Sequence, residues 1–537
     1  MLFACTGYKE EPVQPEERSV TLTGVIGLDS GSPQTRALTE RGKKFFAQGD
    51  RIAVVYTNNS DVTVKAESEP LTAGDIYNYG KKAIIRVTLT DPKPEGALSY
   101  IYPASMAKAD GSVNYDALDN QDGTLASLSS DLDFCSYSGN LTSSATLPED
   151  ANLSNGFTIL KISVINAGID ITDTLTDISA TDGTDTYTVT WSGASSPLYV
   201  VMKAVPKDKT IGFTAHDGNP DYYFFKNITG KRLLAGHFYP INLTLHRYID
   251  LSALTAPFQA RKDDWLAGVL GNNVQISIQD GANVTLGDAD INGAGTWTTG
   301  DYAGVTCAGS AAITLDGTNN VKGFDPAYPG IFVPSGKTLT IKGSGALTAA
   351  SNAGTGAGIG AGSAACGNVT ITGDTITATG GTGAAGIGAS AAATAGNINI
   401  SGNCVVDATG GTDAAGIGAG NAKNCGTIVI SGGTVTARGG DNGAGIGGAR
   451  SSVSGRMDIK TGISMVKGIK GTGAKDGIGR GTAKNGDVYF NSTRRYRSDG
   501  SNDSWSPNPM KNGTYDGFNF TITTTTNTND TWTVVPQ

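Results

Sequence analysis

Glutamate disappears from this 537-residue chain after Glu149, and its three histidines, His216, His237 and His246, all precede residue 250. Downstream of that point only aspartate is left for carboxylate chemistry, which removes the usual general acids and bases of an active site. Aromatic residues make up 7% and charged residues 17%, too few for a long charged helix or an aromatic-rich core throughout. No run of about 20 apolar residues occurs, so no helical membrane span is expected. Basic residues do not cluster, apart from Arg494-Arg495-Tyr496-Arg497, which reads as a solvated loop. With a net charge of −9, nucleic acid is not an expected partner. Six cysteines are too sparse for a disulfide scaffold at this length and lack the Cys/His spacing of a metal site, so neither a metal nor another cofactor is expected.

What the chain has in excess is glycine, 75 residues, gathered mostly after residue 280. There "GAGIGAG" (356–362), "GAAGIGA" (383–389), "DAAGIGAG" (413–420), "GAGIGGA" (443–449) and "DGIGRG" (476–481) repeat one bland phrase. The apolar residues of successive glycine turns, Val305, Ile331, Ile359, Ile387, Ile417, Ile446 and Ile478, are 26, 28, 28, 30, 29 and 32 positions apart. A period near 29 with glycine corners is the mark of a solenoid. Between the corners lie short alternating strands such as "NVTITGDTITATG" and "NINISGNCVVDATG", apolar on one face and Thr, Ser or Asn on the other. The pattern predicts a parallel, right-handed β-helix of about seven coils over 273–490, with Ile359, Ile387, Ile417, Ile446 and Ile478 as inward turn plugs. Phosphate binding by the Gly-Ile-Gly turns is excluded, because no Lys-Ser/Thr and no strand-to-helix transition follows them. Cys366 and Cys425 fall two coils apart, too far to bridge, and with Cys307 and Cys404 read as small inward or corner residues. The tail, 491–537, holds strand-like runs suited to cap the last coil or to pair as a hairpin.

The first half reads as strands with period-two alternation: "SVTLTGVIG", "RIAVVYTN", "KAIIRVTLT", "FTILKISVI", "PLYVVMKAV" and "FYPINLTLHRY". Two antiparallel sandwiches are predicted, over 19–150 and 151–250, then a linker over 251–272, making the whole chain all-β. "QTRALT" (34–39), "GDRIAVVYTN" (49–58), "YIYPAS" (100–105) and "LLAGHFYPINLTL" (233–245), in this order, resemble the fimbrillin pilins (Mfa-like, FimA-like) of gut and oral anaerobes. The resemblance covers about 230 residues and implies two transthyretin-like β-domains on a surface lipoprotein of the outer membrane or fimbrium. It also implies a proteolytic cut at Arg36, after which a neighbouring pilin subunit adds a strand; an uncut, exposed Arg36 is the alternative. "LFAC" at 2–5 resembles a bacterial lipobox, implying lipidation of Cys5, a polar tether over 1–18 and attachment to the membrane through the lipid alone. A chance cysteine near a terminus is the competing reading.

Parallel β-helices often carry polysaccharide hydrolases or lyases, but hydrolysis needs two carboxylates flanking the bond. Asp374, Asp407, Asp413, Asp441 and Asp476 fall at different places in their coils and do not form one row, so no enzyme is expected. Asp280, Asp288, Asp290, Asp301, Asp316 and Asp325 gather in the early coils and read as solvated turn residues, with Ca²⁺ as the alternative. Trp297, Tyr302, Phe324 and Tyr328 gather there too, as rings that could stack on a glycan or cap the solenoid against the sandwich domain. The Gly/Thr repeats resemble solenoid carbohydrate-binding domains of anaerobe surface proteins. The expected function is a surface adhesin or pilus component with the β-helix as the module that meets a host or microbial glycan or another partner; a surface polysaccharide-degrading enzyme and a purely structural stalk are the alternatives.

Overall fold

The computed structural model describes residues 18–28, 45–128, 132, 134–190, 197–271, 273–292, 302–352, 354–373, 375–482, 486–496, 511–524 and 530–537. Two compact units divide the chain: 1–219 with 223–245, and 220–222 with 246–537.

In the first unit, Ser19–Leu28 runs antiparallel to Lys82–Thr90 over nine residue pairs and parallel to Ala151–Asn155 at its end. Ala53–Thr57, Ala97–Tyr102 and Cys135–Asn140 form an antiparallel set. Alternation lets each set bury one face, and a single apolar cluster joins Leu22, Ile26, Ile85 and Val87 of the former to Val54, Tyr56, Leu98 and Tyr100 of the latter. Ala151–Asn155 also pairs with Cys135–Asn140, so this strand belongs to the first sandwich rather than opening the second. In the second, Thr158–Asn166 lies between Leu198–Met202, antiparallel, and Phe238–Thr244, parallel. Asp177–Thr181, Thr186–Thr190 and Ile211–His216 build the other sheet. The buried Gln121 bonds the backbone of Val201 through both ends of its amide, tying a residue of the first expected domain into the second.

The second unit is a parallel solenoid of three strands per coil, with full coils beginning at Ile276, Val305, Ile331, Ile359, Ile387, Ile417 and Ile446. A first sheet stacks strands such as Asn368–Ile371, Ile398–Ile400 and Ile428–Ile430. A second stacks Thr375–Thr379, Val405–Thr409 and Gly433–Arg438. The third stacks the two-residue strands Ile359–Gly360, Ile387–Gly388, Ile417–Gly418, Ile446–Gly447 and Ile478–Gly479. All five isoleucines of that column are at most 1% exposed and share one apolar core with Val369, Ile376, Ile398 and Val406.

The two glycines around each isoleucine are needed for different reasons. Gly418 adopts φ 131°, and a Cβ there would lie 2.3 Å from the carbonyl oxygen of Gly447 in the next coil. At Gly416 a Cβ would meet Arg438 N at 2.6 Å and Ala408 O at 2.8 Å, a matter of close stacking alone.

The stretch 251–272, expected as a linker, is part of the solenoid. Phe258–Ala260 pairs in parallel with Ile276–Ile278, and Asp264–Val269 with both His246–Asp250 and Asn283–Ile291. This first turn lacks the glycine phrase and uses bulk and charge instead. Buried Arg247 bonds Asp264 at 2.8 and 2.5 Å, with the rings of Tyr222 and Phe258 4.8 and 5.8 Å from its guanidinium carbon. Of the arginine run expected in a loop, residues 494–496 lie in a strand, since Thr493–Tyr496 turns back antiparallel on Val488–Phe490; Arg497 lies outside the described residues. Arg494 pairs there with Asp487 at 3.3 Å. In the tail, Phe518–Thr524 and Asp530–Pro536 form a hairpin whose last strand lies antiparallel to Ile463–Ile469.

Ile417→Asp would bury a carboxylate among aliphatic side chains and should lower the solenoid's stability by at least about 3 kcal/mol. Gly416→Val should destabilise it through the contacts above, whereas Thr377→Ala, exposed on the second sheet, should change it by no more than about 0.5 kcal/mol. Denaturant unfolding of the full chain measures all three, and an Ile417→Asp variant that unfolds like the parent would reverse the inside and outside assigned to the coils.

Candidate binding surface

In a parallel stack, a residue and its register partners form a row along the solenoid, one position per coil. On the first sheet Thr340, Thr370, Asn399 and Val429 make such a row, ended by Asp458 and Tyr489. On the second sheet the row is Asn320, Thr348, Thr377, Asp407, Thr436 and Lys467. Asp407 is paired with Arg438 of the next coil at 2.5 Å.

Between these two sheets the corners of three successive coils form an open groove of about 580 Å³. Its floor is glycine (343, 345, 373 and 402), and Ser344, Thr372, Thr375 and Asn403 supply hydroxyl and amide groups. Val405, 48% exposed, adds one apolar contact. No titratable side chain lines the groove among the described residues, so those residues offer hydrogen bonds and van der Waals contact rather than proton transfer. The groove was not singled out from the sequence. Its signal was the glycine bend inside each strand pair, "KGSGA", "TGDT" and "SGNC", falling in one register.

The expected sites fare unequally. Cys5, Arg36, Trp297, Asp301 and Asp374 lie outside the described residues. Phe324 is 1% exposed in the solenoid core, which removes it as a ring for stacking on a sugar. Tyr302 is half-buried, packs its ring 5.0 Å from Phe324 and donates its hydroxyl to Asn273 O at 2.7 Å. Tyr328 is half-buried as well. Phe324 follows the second-sheet strand Thr318–Lys322 and turns into the core, where the apolar gain of burying a ring outweighs its display at the surface.

The described early aspartates are occupied within the solenoid. Asp280 accepts from Ser310 N at 2.7 Å and Asp288 from Thr318 N at 2.8 Å, each one coil on. Asp290 accepts from Asn320 Nδ2 at 2.9 Å, Asp316 from Gly317 N at 3.0 Å and Asp325 from Ala327 N at 2.7 Å. Among the described residues no three His, Cys, Asp or Glu side chains are grouped so as to hold a metal.

Residues 369–391, 398–421 and 428–450 match the family of beta helix repeats, each span running from a first-sheet strand into the Gly-Ile-Gly corner. No curated protein matches the chain. Among solved structures, a candidate cell adhesion protein from Bacteroides fragilis aligns at 12% identity and TM-score 0.24, over 41% of this chain and 89% of its own. One from Bacteroides uniformis aligns at 11% and 0.25, over 42% and 96%. Another, from Parabacteroides distasonis, aligns at 11% and 0.23, over 42% and 90%. At such identities and scores these likenesses decide neither fold nor function; the repeat match agrees with the coils described above.

Cys135, Cys307, Cys366, Cys404 and Cys425 are buried and form no disulfide. Burial pushes the thiols of Cys307 and Cys366 up to about 12, and that of Cys425 upward as well. Because the thiolate is the reactive form, Ellman's reagent near neutral pH should leave all five unreacted in the native protein and titrate them after unfolding. Fast reaction of any solenoid thiol in the folded chain would contradict its inward placement.

Proposed function

We propose that this chain is a cell-surface adhesion protein whose solenoid binds a glycan or another partner without turning it over. The groove between the first and second sheets carries the reading. It presents hydroxyl and amide groups at coil spacing on a glycine floor, beside one exposed valine, as a ligand rich in hydroxyls and C–H faces requires. Rows of Thr and Asn extend the same chemistry along both sheets. Rigidity favours binding too, since side chains fixed on stacked strands lose little freedom when a ligand arrives.

The first unit supports the surface role through its resemblance to fimbrillin pilins. Ser19–Leu28 lies between Lys82–Thr90 and Ala151–Asn155, with Leu22, Ile26 and Leu28 buried. Loss of that strand by a cut at Arg36 would bare an apolar slot with open backbone donors and acceptors, which a neighbouring subunit's strand could fill. Lipidation at Cys5 would hold the chain to the outer membrane. Both steps belong to the proposal.

The full chain applied to an array of neutral and acidic glycans, followed by product analysis, tests the reading. Saturable binding with no new reducing ends or unsaturated products is the expected result, weakened at least about tenfold by Asn403→Ala with Thr372→Ala. Release of cleavage products would replace adhesion by a polysaccharide-degrading activity, and absence of binding to any glycan would leave the solenoid without its proposed ligand.

A further inference from the structure

A stack of parallel strands has to end somewhere, and a last strand leaves a row of backbone groups open to another chain. Two of the solenoid's three sheets end in backbone. Val488–Phe490 of the first is met by Thr493–Tyr496, and Ile463–Ile469 of the second by Asp530–Pro536, both antiparallel. The third ends at Ile478–Gly479, beyond which no strand pairs among the described residues.

The hydrogen bonds of that third sheet show what replaces a further coil. The residue after each Gly-Ile-Gly donates its N–H to the glycine carbonyl of the next coil: Ala361 to Gly388, Ala389 to Gly418 and Ala419 to Gly447 at 2.9 Å, and Gly448 to Gly479 at 2.8 Å. In the last coil the same N–H, that of Arg480, donates to Asp476 Oδ2 at 2.9 Å. Arg480 Nε donates to that oxygen too, at 2.9 Å. A Cβ on Gly360, Gly388, Gly418 or Gly447 would meet the next coil's carbonyl oxygen at 2.1 to 2.3 Å; on Gly479 it would meet Asp476 Oδ2 at 2.8 Å. The carboxylate oxygen thus occupies the place of the missing carbonyl.

The sequence departs from its own repeat at these two positions. Asp476 stands where Ala357, Ala385, Ala415 and Ala444 stand in the earlier copies, and Arg480 where Ala361, Ala389, Ala419 and Gly448 stand. The corner itself is kept, since Asp476 N bonds Arg480 O at 3.1 Å as Ala444 N bonds Gly448 O at 2.9 Å.

We infer that Asp476 and Arg480 form an edge cap that closes the third sheet against pairing with a second copy of this chain. Asp476 is 2% exposed, so an incoming strand would have to displace a buried, paired carboxylate to reach the Arg480 N–H. It would also have to seat its own corner against the arginine side chain, where the stack elsewhere carries only alanine or glycine. Without the two side chains the Arg480 N–H would lose its acceptor at the corner where Trp532 packs against Gly477, and among the described residues no strand covers that edge, so two such ends could meet by closed, two-fold pairing.

Size-exclusion chromatography with light scattering on the full chain tests the inference. Asp476→Ala combined with Arg480→Ala should raise the average mass above that of the parent in a concentration-dependent way, by up to twofold. Asp476→Asn, which keeps an acceptor for the Arg480 N–H, should behave as the parent. A double variant that keeps the parent's circular dichroism and its mass at every concentration would overturn the cap. Should the double variant fold poorly, amide hydrogen exchange in the unmodified chain decides. The Arg480 amide is expected to be protected to within about tenfold of Gly448, and exchange at the rate of an open strand edge would overturn the inference.

Discussion

Adjacent coils of the solenoid approach at the spacing of hydrogen-bonded strands, about 4.8 Å, and at the Gly-Ile-Gly corners that approach leaves no room for a side chain. The next coil's carbonyl oxygen lies 2.1 to 2.3 Å from where a Cβ would sit on Gly360, Gly388, Gly418 and Gly447. Any other residue would force the coils apart and break the column of backbone bonds that runs through them. The abundance of glycine, the single isoleucine per corner and the near-constant period all follow from this one clearance. Each isoleucine then supplies the apolar burial that a corner of glycines cannot.

Once the coils are locked at that distance, the outer face is determined by register. Polar residues near the turns are partly used to link coils, as when Asn368 Oδ1 accepts from Asn397 N and Asn397 Oδ1 from Thr427 N, both at 2.8 Å. Those along the strands are left facing outward in rows, and the glycine bends between the first and second sheets open the groove. The surface that meets a ligand is therefore a by-product of the same packing that excludes side chains at the corners.

The solenoid was legible because its cause is repeated; a period near 29 and a glycine phrase are difficult to satisfy any other way. Its beginning was not. Around Arg247, Asp264 and Phe258 the first turn is held by a buried ion pair and aromatic packing, with no repeated phrase to mark it. Phe324 was misplaced because it lies in a bend after the strand Thr318–Lys322, where no two-residue period marks which way a ring turns, and here it faces the core. The arginine run 494–497 looked like a loop from its charge, but its role in Thr493–Tyr496 is set by the need to finish a sheet. The boundary between the sandwiches was blurred for a similar reason, since Ala151–Asn155 pairs backwards and Gln121 forwards across it. The change from "AGIGA" to "DGIGR" was visible in the sequence, yet its meaning depended on knowing that no described strand follows it in the third sheet.

The central claim is that residues a full period apart in sequence are stacked neighbours in space. Register places Thr377 against Asp407 and Asp407 against Thr436, so the two threonines stand two coils apart on the outer face. Nitroxide labels on Thr377→Cys and Thr436→Cys measure this directly, because the five described native thiols are buried. Two strand spacings put their Cα atoms about 10 Å apart, and strong dipolar broadening of the doubly labelled chain over the sum of the single labels is the predicted result. A doubly labelled spectrum equal to that sum would place the threonines well beyond two coils and contradict the stack.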